Sequence, residues 1–189
     1  MFRGEKQQGF TLIELMVALA IAIIVIALST PISSVFQRNR VVSIQHEFVT
    51  SLNLARSTAV STATPVSICR ADPNNANVCA APAANGNRQW EHGWIVFTDL
   101  NSNGAIELGA GDAILQQRGP LTAGYTLREL QRDFINYDTA GLTRTSTGTW
   151  RLCDANQNAQ FQRAINLSVS GRVGLLTPAQ IQGVPCLAP

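Results

Sequence analysis

Lysine is nearly absent from this chain: of 14 basic side chains in 189 residues, Lys6 is the only lysine and the rest are arginine. The acids number 12, so the net charge is +2, too small for a strong bulk attraction to nucleic acid. Histidine is scarce too, with only His46 and His92. His46 lies among polar helix residues. His92 adjoins Trp90, Glu91 and Trp94, which reads as packing at a strand edge rather than as a base. No serine sits in a nucleophile elbow or triad context and no cysteine is spare as a nucleophile, so the chain reads as no enzyme. C-x-x-C spacing is absent, nothing calls for a cofactor, and there are no internal repeats.

What is present is one long uncharged run. From Leu15 to Phe36 no side chain is charged and most are Ala, Ile, Leu or Val. At ~1.5 Å per residue such a run covers the ~30 Å hydrocarbon core of a bilayer. Glu14 sits at its start, where an unpaired carboxylate in lipid costs several kcal/mol. Before the run, Met1–Gly9 is a polar leader carrying Arg3 and Lys6. A secretory signal peptide places its small cleavage residue after the apolar run, whereas Gly9 stands before this one. Cleavage between Gly9 and Phe10 would leave the apolar segment on the mature chain with a free amine at Phe10. In a stack of subunits, Glu14 of one could then pair with that amine on its neighbour, both charges being desolvated.

Gly9-Phe10-Thr11-Leu12-Ile13-Glu14 resembles the class III signal of type IV pilins and type II secretion pseudopilins. The resemblance implies a prepilin peptidase that cuts after Gly9 and N-methylates Phe10. It also implies that Glu14 guides subunit docking, and that Pro31 kinks the helix.

The four cysteines, Cys69, Cys79, Cys153 and Cys186, all follow the apolar run. An even count in an exported domain suggests disulfides. Three pairings exist; the near-neighbour set, Cys69–Cys79 and Cys153–Cys186, is preferred because each bond staples a turn-rich region. Such a domain faces the periplasm or beyond, with Arg3 and Lys6 on the cytoplasmic side.

Beyond Pro31, Val41, Ile44, Phe48, Leu52, Ala55 and Ala59 recur at spacings of three and four. Arg40, Gln45, Glu47, Asn53 and Arg56 fill the other faces. This is an amphipathic helix that Pro65 ends. Together with the run it predicts a helix of ~80 Å from Phe10 to about Ala63. Strands are predicted at 65–70, 93–99, 113–118, 134–137, 149–153, 164–170 and 172–176, the last two as a hairpin about Ser170-Gly171-Arg172. Ile165, Leu167 and Val169 should share one face. Residues 70–88 read as an exposed loop.

Arg38-Asn39-Arg40, Leu54–Val60, Gly93–Asp99, the Asn101–Gly104 turn and Ser170-Gly171-Arg172 resemble FimT/FimU minor pilins and GspH pseudopilins. That resemblance implies an α+β, type IV pilin-like fold, a long N-terminal helix packed on an antiparallel β-rich head. The expected parts are a leader (1–9), a transmembrane and filament-core helix (10–36), an amphipathic helix (37–64) and a head (65–189). Expected partners are major and minor pilins, the prepilin peptidase, the inner-membrane assembly platform and membrane lipid. The expected place is the inner membrane, single-pass with the head in the periplasm, and then the pilus at the cell surface. The expected function is pilus assembly and priming near the filament tip, in support of twitching motility and adhesion. A secretion pseudopilin and a DNA-uptake receptor are the alternatives.

Two further constellations bear on ligands. Asp99-x-Asn101-x-Asn103-Gly104 matches the front of a calcium loop, but Ala110 occupies the position where a bidentate acid is needed. A plain Asx turn is preferred there. Arginines crowd the last third: Arg144, Arg151, Arg163 and Arg172, preceded by Arg128 and Arg132. On one face they could contact DNA phosphates. Some FimT-like pilins that take up DNA carry Gly-Arg-x-Arg near the C-terminus. Here Gly171-Arg172-Val173-Gly174 lacks the second arginine, and a solvated arginine surface is preferred.

Overall fold

The structure is a computed structural model. It describes residues 10–29, 32–83, 88–143, 146–154, 156–181 and 186, without the side chains of 27–29 and 32–34. The leader with Gly9, the kink expected at Pro31, and Arg144 therefore lie outside the described residues. The chain divides into two units, residues 1–36 and 37–189.

In the first unit, helix α1 spans Leu12–Ser29. Helix α2 spans Ile32–Thr62 and, from Gln37 on, belongs to the second unit. Ala63 follows it with φ +51°, a left-handed turn of the kind that commonly closes helices, and Pro65 prevents continuation.

Among the described residues nine strands follow: β1 (Val66–Arg70), β2 (Arg88–Gln89), β3 (Trp94–Thr98), β4 (Ile114–Arg118), β5 (Thr126–Glu129), β6 (Phe134–Tyr137), β7 (Gly148–Cys153), β8 (Arg163–Leu167) and β9 (Val173–Leu176). They form two antiparallel sheets, in the orders β4-β3-β1-β6 and β2-β5-β7-β8-β9. The fold is α+β.

The helical stripe anchors the core. Val41, Ile44, Phe48, Leu52, Ala55 and Ala59 are all buried and pack with Val66, Ile68, Val96 and Ile135 of the first sheet and Leu127, Leu152, Ile165 and Leu167 of the second. Phe48 lies 5.0 Å from the Trp94 ring, 5.5 Å from Trp90 and 5.9 Å from Trp150. Strand alternation sends Cys69, Ile95 and Phe97 to the opposite face of the first sheet, where Ile106 and Phe134 complete a second, smaller core. The chain forms the disulfides Cys69–Cys79 and Cys153–Cys186.

Several expectations need correction. Strands β2 and β5 were not expected from the sequence, because β5 (Thr-Leu-Arg-Glu) has a single apolar residue. Arg128 and Glu129 are nonetheless buried, Arg128 against Glu91 at 2.6 Å. Arg128 and Arg132, four positions apart, do not share a helix: Arg128 belongs to this strand and Arg132 to the loop after it. Val169 does not join Ile165 and Leu167: β8 stops at Leu167, the chain turns, and Val169 is exposed. The β8–β9 hairpin is present. His92 closes a short 3-10 turn, Trp90–His92, rather than a strand edge. Gln45 is buried and its amide donates to the Ala164 carbonyl at 3.4 Å.

Candidate assembly interface

Thr11 starts α1. Its hydroxyl accepts a hydrogen bond from the Glu14 N–H at 3.3 Å, and its carbonyl accepts from the N–H groups of Glu14 and Leu15 at 3.1 and 3.2 Å. Thr11-x-x-Glu14 is the spacing of a capping box, with the hydroxyl satisfying an N–H that has no partner within the helix. That signal was readable beforehand and was missed, because the same residues were read only as a processing motif. The cap fixes Glu14 in the first helical turn, where the positive end of the helix dipole favours a carboxylate.

Past Glu14 the helix has no polar face. Leu15, Met16, Val17, Leu19, Ile21, Ile23, Ile24, Val25 and Ile26 run around its whole circumference and are all exposed. A helix apolar on every side needs an apolar environment, either lipid or other helices. Among the described residues no helix is long and apolar enough to cross a membrane. The uncharged run continues through Thr30 and Pro31, outside the described residues.

The head places the other candidate residues. Asp99 is buried, and its carboxylate accepts from the Ser67 hydroxyl at 2.6 Å and from the N–H groups of Asn103 and Gly104 at 3.1 and 2.9 Å. The Asn101 side chain binds Glu107 at 2.7 Å, and the Asn103 side-chain oxygen accepts from the Ala105 N–H at 2.7 Å. Donors fill the oxygens a cation would need, so the sequence of Asx residues builds an Asx turn. Gly104 is required there, since a Cβ would stand 2.5 Å from the Phe134 ring.

The arginines are not gathered on one face. Arg151 pairs in register with Ala164, so Arg163, one residue along, projects from the other side of that sheet. Arg163 shares its face with Leu152 and Ile165, which pack against α2. Arg128 is ion-paired with Glu91, and Arg132 donates to the Thr147 carbonyl at 3.3 Å. Arg172 is exposed at the β8–β9 turn. That turn is tied down by Arg56 of α2, which donates to the carbonyls of Gly141 at 3.1 Å and Ser170 at 3.0 Å. Two of the sequence segments quoted above, one around Arg56 and one around Gly171, thus meet in space.

A capped helix, apolar on every side past Glu14, joined to a β-rich head cored on an amphipathic helix, is the architecture of the pilin class of filament subunit. Two family profiles match. One, described as the prokaryotic N-terminal methylation motif, covers residues 5–30. The other, type II transport protein GspH, covers residues 45–171, more than half of the chain. The chain belongs to the GspH family. Its fold is similar to that of the type IV minor pilin FimU of Pseudomonas aeruginosa in two crystal forms. One aligns at 22% identity and TM-score 0.57 over 76% of this chain and 92% of FimU. The other aligns at 22% identity and TM-score 0.52 over 72% and 93%. No curated protein matches. Proteins of this class are structural subunits that associate with other pilins, and the chain is not an enzyme.

Proposed function

We propose that this chain is a FimU-like minor pilin that primes type IV pilus assembly from the inner membrane and takes a place near the filament tip. Prepilin peptidase cleaves after Gly9 and methylates Phe10. The apolar helix then holds the subunit in the membrane, single-pass with its head in the periplasm, and the assembly platform moves it into the fibre. The observation that carries this reading is α1 itself: capped at Thr11, marked by one acid at Glu14, and exposing large apolar side chains on every side. Moving that helix from lipid into a bundle of like helices costs little apolar burial. Glu14, paired with the Phe10 amine of a neighbour, supplies the register.

The test is filament yield. Cells lacking the chain should shed far less major pilin on shearing, and a Glu14→Ala copy should fail to restore it. Full restoration by that copy would overturn the docking role.

The GspH profile match favours a second reading, a type II secretion pseudopilin. Normal piliation together with a secretion defect in the deletion strain would select it. The layout of the arginines gives little support to the DNA receptor. Arg128 is neutralised, and Arg151 and Arg163 lie on opposite faces of one sheet. Duplex DNA binding that collapses as salt rises, and that weakens in Arg172→Ala, would reinstate it.

A further inference from the structure

Four arginines of the head are held in ion pairs among the described residues. Arg70 and Arg88 pair with Asp133, Arg118 with Glu47, and Arg128 with Glu91. Arg38, Arg40 and Arg163 have no carboxylate within ion-pair distance among the described residues, and they converge on one end of the head. Arg38 and Arg40 flank buried Val41 on either side of the helix, since residues turn by ~100° each. Arg40 leans to the Thr122 hydroxyl. Arg38 lies on the β8 side, because Gln45, two turns further along the same helix face, donates to the carbonyl of Ala164, the neighbour of Arg163; burial, and then the charge of Arg38, lowers the Arg163 pKa. Arg163 donates only to carbonyls, those of Gln162 at 2.8 Å and Gln160 at 3.4 Å. The acids nearest to this end are engaged elsewhere: Glu47 with Arg118, Glu91 with Arg128, and Asp154 with the N–H of Asn158. Three guanidinium groups thus stand at this end, none of them in an ion pair among the described residues.

Connectivity indicates which anion. Arg38 is two residues beyond Phe36, the last residue of the uncharged run. If that run lies in the bilayer, Arg38 and Arg40 stand at headgroup level. Guanidinium groups hold phosphate oxygens through paired N–H donors. We propose that Arg38, Arg40 and Arg163 form a collar that binds the phosphates of anionic phospholipids on the periplasmic side of the membrane, seating the head there until assembly withdraws it. This rests on the membrane-anchored reading above and adds a lipid preference to it.

The test uses the full chain. Flotation with pure phosphatidylcholine vesicles reports the anchor alone. The collar is read separately, from phospholipid retained per chain after gel filtration out of detergent micelles containing equal phosphatidylglycerol and phosphatidylcholine. The wild type should retain more phosphatidylglycerol than phosphatidylcholine, by about fivefold for each arginine that engages a headgroup, at ~1 kcal/mol apiece. High salt should erase the preference. Arg38→Gln/Arg40→Gln/Arg163→Gln should retain both lipids equally, while the lysine triple variant keeps part of the preference. Arg38→Gln/Arg40→Gln, confined to exposed helix positions, guards against a folding defect at Arg163. Equal retention by the wild type, or an undiminished preference in the glutamine variants, overturns the collar. Loss of the preference to millimolar inorganic phosphate would mean a free-anion site and overturn the lipid assignment. Normal lipid retention in variants that fail to enter filaments would mean that the arginines meet acids of a neighbouring subunit, again against it. Failure to float on phosphatidylcholine would instead strike the anchor.

Discussion

Helix α1 and the head portion of α2 are both regular helices, yet they bury opposite amounts of side chain. In α2 the apolar residues return every three or four positions, and six of them, Val41 to Ala59, are buried in the head. In α1 apolar residues stand at nearly every position, and its large side chains are exposed. The period of the apolar pattern, not its total, decides where a helix finds its partner. A stripe can be satisfied within one chain, whereas a helix apolar all round must be satisfied by something outside it. The head is thus complete as a fold, while α1 is complete only in lipid or in a filament.

The largest expected effect breaks this contrast on the α1 side. Glu14→Ala should lower incorporation into sheared filaments by more than about a hundredfold, since a buried charge left without its partner costs about 3–5 kcal/mol. The head should be untouched: Trp90, Trp94 and Trp150 are all buried within it, so tryptophan fluorescence of the full chain in detergent should show an unchanged unfolding midpoint. A shifted midpoint would mean that Glu14 serves folding rather than docking.

Phe48→Ala is the mirror experiment on α2. Its ring packs edge-on to Trp90 and Trp94 and is tilted against Trp150, and its loss should cost about 3–5 kcal/mol of head stability. Incorporation should fall only as far as the folded fraction falls. A docking defect in a still-folded Phe48→Ala chain would erase the division of labour between the helices.

Both helices were legible in the sequence because hydropathy period survives without tertiary information. The six-residue stripe of α2 and the strand at Phe134–Tyr137 were read as they stand. Strand β5 was not, because its buried residues include Arg128 and Glu129. Arg128 is buried because Glu91, 37 positions earlier, neutralises it, and Glu129 because it accepts the N–H groups of Gln131 and Arg132. No local pattern announces a partner that distant. Val169 failed for the opposite reason: alternation continued in the sequence after the backbone had already turned at Ser168–Arg172. The seating of Arg163 on the α2-facing side also needed strand register, which composition does not contain.

A smaller effect sharpens the head side. Gly171 has φ +70°, and a Cβ there would stand 2.1 Å from the Gly141 carbonyl oxygen. Gly171→Ala should cost about 1–3 kcal/mol from backbone strain alone, and more if the turn must move off Gly141. The shift would be read as a lowered urea midpoint. An unchanged midpoint would show that Arg56 does not hold the two turns together tightly, since its guanidinium binds the carbonyls of Gly141 and Ser170 at the same junction.

The smallest effect at neutral pH comes from Tyr137, buried against the same Gly171, with a hydroxyl that has no hydrogen-bond partner among the described residues. Tyr137→Phe should change stability at pH 7 by no more than about 0.5 kcal/mol, because no bond is lost and an uncompensated polar group leaves the core. Its effect should emerge in alkali. Burial pushes the Tyr137 phenol well above its usual value, against a smaller lowering by Arg56. The folded state therefore keeps a proton that the unfolded chain releases near pH 10. Stability contributed by that retained proton is intact below pH 10 and is lost as pH rises beyond it, by about 1.4 kcal/mol per pH unit. Wild-type midpoints should thus fall between pH 10 and 11 more steeply than those of Tyr137→Phe. Parallel curves for the two proteins would mean that the phenol ionises freely and that the core opens at this edge. The contrast between a closed head and an uncovered α1 would then be one of degree.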